Sequence, residues 1–521
     1  MAEIDQTEIT LVPAPTGGWN ARDPLHAMPE NQAIELVNYF PEGSDVQIRG
    51  GSSLYWTSPW STSPAFVKGT WAQPGTADYL ILLEKTGSGG SDALHLYRIL
   101  VSDGTTTEIA DASDGLENET YLTTIFRGYL FGFSEGGYSF SVDPSGAYAD
   151  TPFTATPING VGYKGHMFLV PLNSATVEYG ALTAISGAVT SYDVSPFLSR
   201  GGNVLAVGTT TQMQGDLAQE LFVLISTVGE ILVFQGSNPA SATWSLVARF
   251  FVGQPLGRGC FVYRGSDLHV NTSAGIFSVQ GLFRGANADG LYESVADNIR
   301  LAVSDAADTF LTSYTAGESW GAVYAPSHKM WIFTGVQPLA STQYQYVQNI
   351  ITNAWCSFSG IDSNKWVGIG RRVFWGNARS VAATYATLQE LGLPNSSGNI
   401  DGTTPFTASC RQAFNYLGNP SITKHITSVK AFFEITQETG HSTATREVKL
   451  GADSDFKDED ITSNIKLKSI TPDATTSYIT PVDVRAEGTT FSLIFKSRFG
   501  GGYKHKWNLF IVNSEPGGYF G

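Results

Sequence analysis

The chain has 521 residues and a formal net charge of −16, and charged residues make up only 15% of it. An acidic chain gains little from counterion release on phosphates, so ordinary nucleic-acid binding is disfavoured. The charged fraction is below the roughly 25% usual for soluble domains, which indicates a surface that is neutral or buried against partners. From residue 441 onward ten basic residues balance ten acidic ones, so the excess negative charge lies before that point.

Cysteine usage and hydropathy exclude further classes. Cys260, Cys356 and Cys410 have no CxxC spacing, so we predict three small buried side chains and neither a zinc site nor a disulfide framework. The first residues lack the basic and apolar regions of a signal peptide, and no apolar run approaches 18 residues. We therefore expect synthesis in a cytoplasm and no membrane span.

Residues 1–64 are predicted to form an N-terminal arm with one short helix and one strand. The helix is expected over Met28–Val37, because Pro29 suits a first helical turn and Pro41 would end the segment. The strand is expected over Val46–Arg49, before Gly50-Gly51.

Residues 65–376 are predicted to form a β-propeller. An aromatic residue, a basic residue, Gly and an apolar strand recur in this order at 126–131, 163–168 and 263–270, with a looser version around Lys329. The Gly supplies the positive φ of a tight hairpin turn. Hairpin units begin near Phe66, Tyr121, Ile158, Asn203, Gly259 and Tyr314, with a closing segment near Lys365. A period of roughly 40–50 residues favours about six blades, and a set of β-sandwiches is the competing architecture.

The remainder is predicted to be a linker and a second β region. Residues 377–399 form a linker or ambiguous segment, in which 380–391 fits either a helix or a strand. Residues 400–521 are expected to form a β-rich, sandwich-like domain with strands at 426–433 and 490–495. A short helix is also expected at 293–301. The predicted fold class is therefore all-β with few short helices.

No motif indicates catalysis, so we predict no catalytic, cofactor-binding or metal-binding residues. P-loop, HExxH and GxSxG patterns are absent. The acidic run 453–460 fits a solvated loop better than a Ca²⁺ site, because it lacks the Gly and terminal Glu of an EF-hand loop. Lys504–Trp507 mixes base-stacking and phosphate-pairing side chains, and a solvated hairpin rim is the favoured interpretation.

Several ordered motifs resemble a family of tail proteins from short-tailed bacteriophages and prophages. The opening carries a Gly-Gly-X-Asn-X-Arg-Asp pattern that is followed by an Arg-Gly-Gly finish, and further similar segments run through most of the chain in one order. The motif residues that we single out as structural are Gly18, Trp19, Asn20, Arg22, Asp23, Arg49, Gly50, Gly51, Arg200, Gly201, Gly202, Trp355 and Cys356. The chain departs from the family pattern after Gly376, which puts blade closure there in question.

The resemblance is to tail hub or nozzle subunits of the tail tubular protein B type. It implies a virion protein assembled in the host bacterial cytoplasm, in a homohexameric ring that forms the channel for DNA ejection. It also implies as partners an adaptor (head-to-tail connector), a tail needle, fibre or tailspike, and double-stranded DNA that passes without specific binding. Gly500, Gly501 and Gly502 and the segment 87–90 are candidate mobile loops.

Two other functions remain open from the sequence. The aromatic content of 12% permits a host-surface glycan-binding module, although aromatic residues equally suit blade cores. A glycan or peptidoglycan hydrolase would need two carboxylates facing each other across a cleft. The structural ring subunit, which is not an enzyme, is the preferred prediction.

Overall fold

A computed structural model describes most of the chain. The described residues are 7–60, 64–87, 93–214, 217–285, 292–313, 320–335, 344–361, 363, 365–377, 385–393, 400–401, 404–437, 446–456, 467–470, 481–499 and 503–519. They form a β-propeller and a two-sheet β-sandwich, as predicted from the sequence.

The N-terminal segment supplies strands to both bodies. Its strands are β1 (Glu8–Pro13), β2 (Gly18–Trp19), β3 (Gln32–Val37), β4 (Tyr39–Pro41), β5 (Val46–Ile48) and β6 (Ser52–Thr57). The prediction of a helix over Met28–Val37 is wrong. Residues 28–31 form a turn, and β3 pairs in parallel with β2 and antiparallel with a strand nearly 400 residues away in sequence, near Gln412. Tertiary pairing that buries Ala33 and Leu36 overrides the local helix signals.

The first four blades are regular four-stranded antiparallel sheets. Blade 1 contains β7 (Ala65–Gln73), β8 (Tyr79–Thr86), β9 (Ala93–Leu100) and β10 (Thr106–Asp111). Blade 2 contains β11 (Tyr121–Phe126), β12 (Tyr129–Ser134), β13 (Ser139–Val142) and β14 (Tyr148–Asp150). Blade 3 contains β15 (Pro157–Tyr163), β16 (His166–Pro171), β17 (Thr176–Gly180) and β18 (Val189–Asp193). Blade 4 contains β19 (Val204–Gln214), β20 (Leu217–Ser226), β21 (Glu230–Gln235) and β22 (Ser245–Phe251).

The last three blades depart from this regularity. Blade 5 has β23 (Phe261–Arg264), β24 (Asp267–Thr272) and β25 (Gly275–Ser278), followed by helix α1 (Val279–Phe283). Blade 6 has β26 (Gly321–Ala325), β27 (Met330–Gly335), β28 (Tyr344–Asn349) and β29 (Trp355–Phe358). Blade 7 has β30 (Trp366–Ile369), β31 (Arg372–Gly376) and β32 (Thr387–Leu391), and β6 is its fourth strand.

The described residues therefore contain seven blades, compared with the predicted number of about six. The segment near Lys365, predicted to be a closing piece, is a full blade, because β6 reaches it from the N-terminal arm and pairs with β32. The departure from the family pattern after Gly376 thus coincides with a blade that is closed. Strand β32 also settles part of the ambiguous segment 377–399.

Helices are few in the described part of the chain, as predicted. Helix α2 (Arg300–Ser313) follows a 3₁₀ turn at Asp297–Ile299, so the helix expected at 293–301 begins later and runs further. Its buried residues include Val303 and Phe310, which pack in one core with Trp331 of blade 6. Further 3₁₀ turns cover Ala112–Asp114, Ser195–Phe197 and Pro326–His328.

The sandwich is built from the C-terminal strands together with β1, β3, β4 and β5. The C-terminal strands are β33 (Ile400–Asp401), β34 (Thr404–Pro405), β35 (Thr407–Gln412), β36 (Ile422–Gln437), β37 (Arg446–Ser454), β38 (Lys468–Ile470), β39 (Ala486–Gly488), β40 (Phe491–Phe499) and β41 (Tyr503–Tyr519). One sheet has the order β3-β35-β40-β37-β38 and the other β39-β36-β41-β5-β4, with β1 also on β41; β33 and β34 instead extend the blade 7 sheet. The buried rings of Phe433, Phe495 and Trp507 pack between the two sheets.

Sandwich and propeller share one continuous sheet. Ser357 of β29, the outer strand of blade 6, pairs with Val37 of β3. The largest core cluster accordingly includes residues of both bodies, such as Ile332 in blade 6 and Phe495 in the sandwich. This continuity makes the junction an extended buried contact.

Candidate functional site

The first strands of all seven blades surround one central channel of about 460 Å³. Among the described residues that line it, Arg258 is the only charged side chain, and glycines such as Gly160, Gly259 and Gly368 leave backbone exposed to the channel. A cavity of this volume accepts water or a small neutral molecule. This volume is in the range of small-molecule pockets, so the propeller channel is far too small to enclose a DNA duplex.

Arg258 braces the channel wall across three blades. It is buried, and its guanidinium donates hydrogen bonds to the carbonyl oxygens of Phe133 (2.8 Å), Ile158 (2.7 Å) and Thr120. The side-chain amide of Asn159 donates in turn to Arg258 O at 3.0 Å. Arg258 is not among the site residues predicted from the sequence, because only the closed ring brings blades 2, 3 and 5 together.

The opening motif residues attach the arm to the junction of blades 5 and 6. Asn20 Oδ1 accepts hydrogen bonds from the backbone amides of Arg22 (2.9 Å) and Asp23 (3.0 Å). Arg22 pairs with Asp23 at 2.7 Å and with Asp297 at 2.6 Å. The hydrogen bonds from Arg22 and Asn20 lower the pKa of Asp23 to about 2. Hydrogen bonds and ion pairs therefore hold the motif in a fixed conformation and attach it to Asp297.

Gly18 and Trp19 pack directly on blade 6. Gly18 has φ +80°, and a Cβ there would lie 2.6 Å from Trp355 O, so only glycine fits. Trp19 stacks on Tyr346 with ring centroids 6.0 Å apart. Trp355 and Cys356 lie in β29 and are buried, and burial raises the pKa of the Cys356 thiol. Cys260 and Cys410 are likewise buried and unpaired, as predicted.

Arg49 joins the arm, blade 6 and the start of the C-terminal region. Its side chain is 0% exposed, donates to Asn38 Oδ1 at 2.8 Å, and forms an ion pair with Asp401. It also donates to Ser359 O at 3.0 Å, and the Phe406 ring lies 3.7 Å from the guanidinium carbon. These partners come from three separate stretches of chain, so this one cation holds three segments in register.

Gly50 and Gly51 complete that joint. A Cβ at Gly50 would lie 2.1 Å from Gly392 O, just beyond β32. The two segments of backbone therefore approach each other more closely than any side chain would allow. Gly392 N donates to Gly51 O at 2.7 Å. The Arg49-Gly50-Gly51 motif therefore sets the contact between the arm and the end of blade 7.

The Arg200-Gly201-Gly202 motif has a separate role in blade 4. The buried Glu230 carboxylate accepts hydrogen bonds from the amides of Ser199 and Arg200 at 2.9 Å. Burial alone would raise the pKa of Glu230, but these hydrogen bonds outweigh it, and the pKa lies below its usual value. The Arg200 guanidinium stacks over Phe251 at 4.1 Å. The motif residues are thus distributed over two locations and do not form one pocket.

The predicted mobile loops, the acidic run and the basic segment near the C-terminal end do not form a site in the described residues. Gly500, Gly501 and Gly502 lie outside the described residues, as do 88–90 and 457–460. Asp453, at the start of the acidic run, is buried in an ion pair with Arg411. The interpretation of Lys504–Trp507 as a solvated rim is wrong, because the segment lies in β41, where His505 and Trp507 are buried in the sandwich core.

The structure offers no sign of a metal centre or a membrane span where it describes the chain. No group of three or more His, Cys, Asp or Glu side chains there is arranged to hold a metal ion. No described helix is long and apolar enough to cross a membrane.

Comparisons with known proteins identify no family for this chain. No protein-family model matches the chain, and no curated protein matches it. Among solved structures, Raptor from Chaetomium thermophilum aligns at 11% identity over 67% of this chain, with a TM-score of 0.41. A BBS1N structure solved in complex with ARL6DN aligns at 9% identity over 66% of this chain and 97% of its own, with a TM-score of 0.37. The chain spans 29% of the Raptor chain. These neighbours are β-propeller proteins, and nothing in the likeness carries function.

Proposed function

We propose that the protein is a structural subunit of the hub or nozzle ring of a short bacteriophage tail. The observation that carries the proposal is the ordered series of family-like motifs, together with the use of most of them as joints. The motif residues around Arg22, Arg49 and Trp355 hold the arm, the propeller and the sandwich together. A building unit needs such joints to keep its shape under load.

The physical properties of the chain suit a ring around a polyanion. A low fraction of charged residues favours burial of large neutral flanks against neighbouring copies. The net charge of −16 repels phosphate, which favours passage of DNA without trapping it. Because the propeller channel is too narrow for a duplex, DNA would pass along the axis of a ring of copies, not through a single propeller.

The proposal includes partners and a location. A homohexamer would dock an adaptor on one side and a needle, fibre or tailspike on the other, with DNA in transit, in a virion tail assembled in bacterial cytoplasm. Negative-stain imaging of the purified chain tests this. We expect closed rings of about six copies. Single particles the size of one chain at every concentration would contradict the proposal.

A second candidate function is recognition of a host-surface glycan, and Trp60 favours it. Its indole is 46% exposed and stacks on His95 with ring centroids 5.1 Å apart, which is the kind of platform that sugar rings bind. A glycan array would distinguish the two functions. Saturable binding that is lost in Trp60→Ala, but kept in a Tyr138→Ala variant of another exposed aromatic residue, would favour glycan recognition.

A further inference from the structure

The basic residue of the hairpin pattern lies in the turn after the first strand in blades 2, 3 and 6, and at the end of the first strand in blade 5. Arg371 lies in the corresponding turn of blade 7. These residues are Arg127, Lys164, Arg264, Lys329 and Arg371, and we call them the basic collar. Blade 1 carries Asp78 in the corresponding turn, and the turn of blade 4 lies outside the described residues. The first strands line the channel, so these turns surround one of its mouths.

Hydrogen bonds between adjacent blades show that the turns share one face of the propeller. These bonds run from Gln73 to Gly128 O (3.3 Å), from Tyr163 to Glu220 O (3.2 Å) and from Thr211 N to Ser266 O (3.2 Å). Further bonds run from Arg264 to Ile350 O (3.3 Å), from Ser327 to Arg371 O (3.1 Å) and from Arg372 to Val101 O (2.6 Å). Within blade 6, Ile350 N donates to Lys329 O at 2.9 Å. The collar is therefore a surface feature of the closed ring and not a set of unrelated turns.

Three members of the collar point to an external partner. Arg264 lies over Trp331 at 5.3 Å, and Lys329 pairs with Glu42 at 3.0 Å. Arg127, Lys164 and Arg371 are exposed, and none has an ion pair with another described residue. In an acidic chain, three such cations around one channel mouth concentrate positive charge there, with Glu220 near Lys164 and Asp78 beside the turn that carries Arg371.

The backbone at these positions makes basic residues a costly choice. Arg127 has φ +53°, Lys164 +44° and Lys329 +57°, in the left-handed region where tight hairpin turns favour Asn, Asp or Gly. A long side chain there is strained by about 1 kcal/mol. Strain of this kind often marks a functional constraint.

Carboxylates on the same face favour a protein partner over DNA. Asp103 and Asp143 lie in turns farther from the channel, where they accept hydrogen bonds from Thr105 N and Ala147 N, both at 2.8 Å. A uniform row of phosphates would be repelled by these carboxylates. A protein partner can place carboxylates against the collar and hydrogen-bond donors against Asp103 and Asp143.

The opposite face of the propeller carries a complementary surface. Asp111, Asp114, Glu117 and Asp150, which we call the acidic patch, lie at the connection that enters β11 and at the end of β14. Gly115 brings the two chain segments together, since a Cβ there would lie 2.8 Å from Asp150 Oδ2. Arg127 follows the far end of β11, six residues long, so collar and patch are about 20 Å apart on opposite faces.

We propose that the basic collar of one copy binds the acidic patch of a second copy, so that copies join head to tail. The proposal rests on the proposed function, because it assigns the contact that sets the order of subunits in the ring. A head-to-tail contact closes into a ring when the rotation that relates neighbouring copies is 360° divided by a whole number. Lys68, which donates to Asn118 Oδ1 at 2.7 Å, and Lys85 border the patch on the channel side, with Glu119 and Glu135 near Lys68.

A charge-swap experiment tests this contact, with the mass in solution at 0.15 M salt as the readout. The collar variant carries Arg127→Glu, Lys164→Glu and Arg371→Glu. The patch variant carries Asp114→Lys, Glu117→Lys and Asp150→Lys. We expect self-association of each to weaken at least about ten-fold, because like charges then meet. The six changes combined should restore the wild-type mass.

The control variant adds three negative charges elsewhere, through Lys468→Glu, Arg485→Glu and Arg498→Glu on exposed sandwich positions. It should keep the wild-type mass. A collar variant that forms rings like the wild type would overturn the inference and leave the ring proposal intact. Failure of the combined variant to reassemble would overturn the pairing of these two surfaces.

Two further outcomes separate the inference from the function on which it rests. A wild-type chain that is monomeric at all concentrations would overturn both. Retained rings in the collar variant, with loss of salt-sensitive binding to a labelled DNA duplex, would assign the collar to phosphate and overturn the head-to-tail contact.

Discussion

At the residue scale, the protein depends on buried polar groups that join distant segments. Arg49 and Arg258 are buried cations, and each contacts several stretches of chain. Their neighbours can be identified only from the fold. The sequence shows Arg49 within a motif but gives no reason to place Asp401, 352 residues away, beside it.

Arg49→Ala is expected to lower stability by about 3–5 kcal/mol, because it leaves Asp401 without its buried partner. The midpoint of denaturant unfolding, followed by tryptophan fluorescence, measures the loss. Arg371→Ala, an exposed control, should shift stability by less than about 0.5 kcal/mol. Equal midpoints for the two variants would show that Arg49 does not hold the joint.

His505 is expected to make the fold sensitive to acid. Its side chain is fully buried in the sandwich, and burial lowers its pKa to about 3, compared with about 6.5 in an unfolded chain. As pH falls below about 6.5 the unfolded chain binds a proton that the native state excludes, so stability falls by up to about 1.4 kcal/mol per pH unit.

Unfolding midpoints at pH 7 and pH 5 measure this effect. His505→Phe should reduce the loss between the two pH values. Trp507→Phe changes the same core without removing a titrating group and should keep the wild-type loss. The same loss in His505→Phe as in the wild type would rule out His505 as its source. The buried His269, with a pKa lowered by burial to about 4, acts in the same direction in every variant.

At the element scale, the propeller is closed by a strand from outside the blade series. β6 belongs to the arm yet completes blade 7, and Trp56 in it contacts blade 1. Its ring lies 5.4 Å from Tyr97, and its indole nitrogen donates to Thr106 Oγ1 at 3.0 Å. β6 therefore connects the last blade to the first.

Trp56→Ala is expected to loosen this closure at a cost of about 3–5 kcal/mol. Amide hydrogen exchange should become faster in β6, β32 and the outer strands of blade 1. Leu54→Ala, in the same strand but with an exposed side chain, is the matched control and should leave exchange unchanged. Uniform exchange in both variants would mean that closure does not depend on Trp56.

The elements also show what the sequence can predict. The hairpin pattern located strands β11–β12, β15–β16 and β23–β24 because its signals are local. Two predictions failed because they depend on distant pairing. The predicted helix Met28–Val37 is instead strand β3, and the seventh blade was missed because it needs β6. Both strands pair with segments hundreds of residues away in sequence. The sequence identified the motif residues, but only the structure shows that they connect the arm, the propeller and the sandwich.

At the scale of the whole molecule, the negative charge is unevenly distributed along the chain. The excess lies before residue 441, in the part that contains the arm and the propeller. We expect the assembled protein to show no salt-sensitive binding to duplex DNA tighter than about 1 µM, measured by fluorescence anisotropy. A variant of neutral net charge, made by replacing exposed Asp and Glu with Asn and Gln, tests whether the negative charge of the chain is what prevents binding. Tight wild-type binding would contradict a conduit that lets DNA pass.

The proposed function requires the 56.0 kDa chain to assemble into a ring. Light scattering of the purified protein across a range of concentrations measures the mass of the assembly. We expect a species of about six times the chain mass that is stable on dilution. A mass equal to one chain at the highest concentration would contradict the ring.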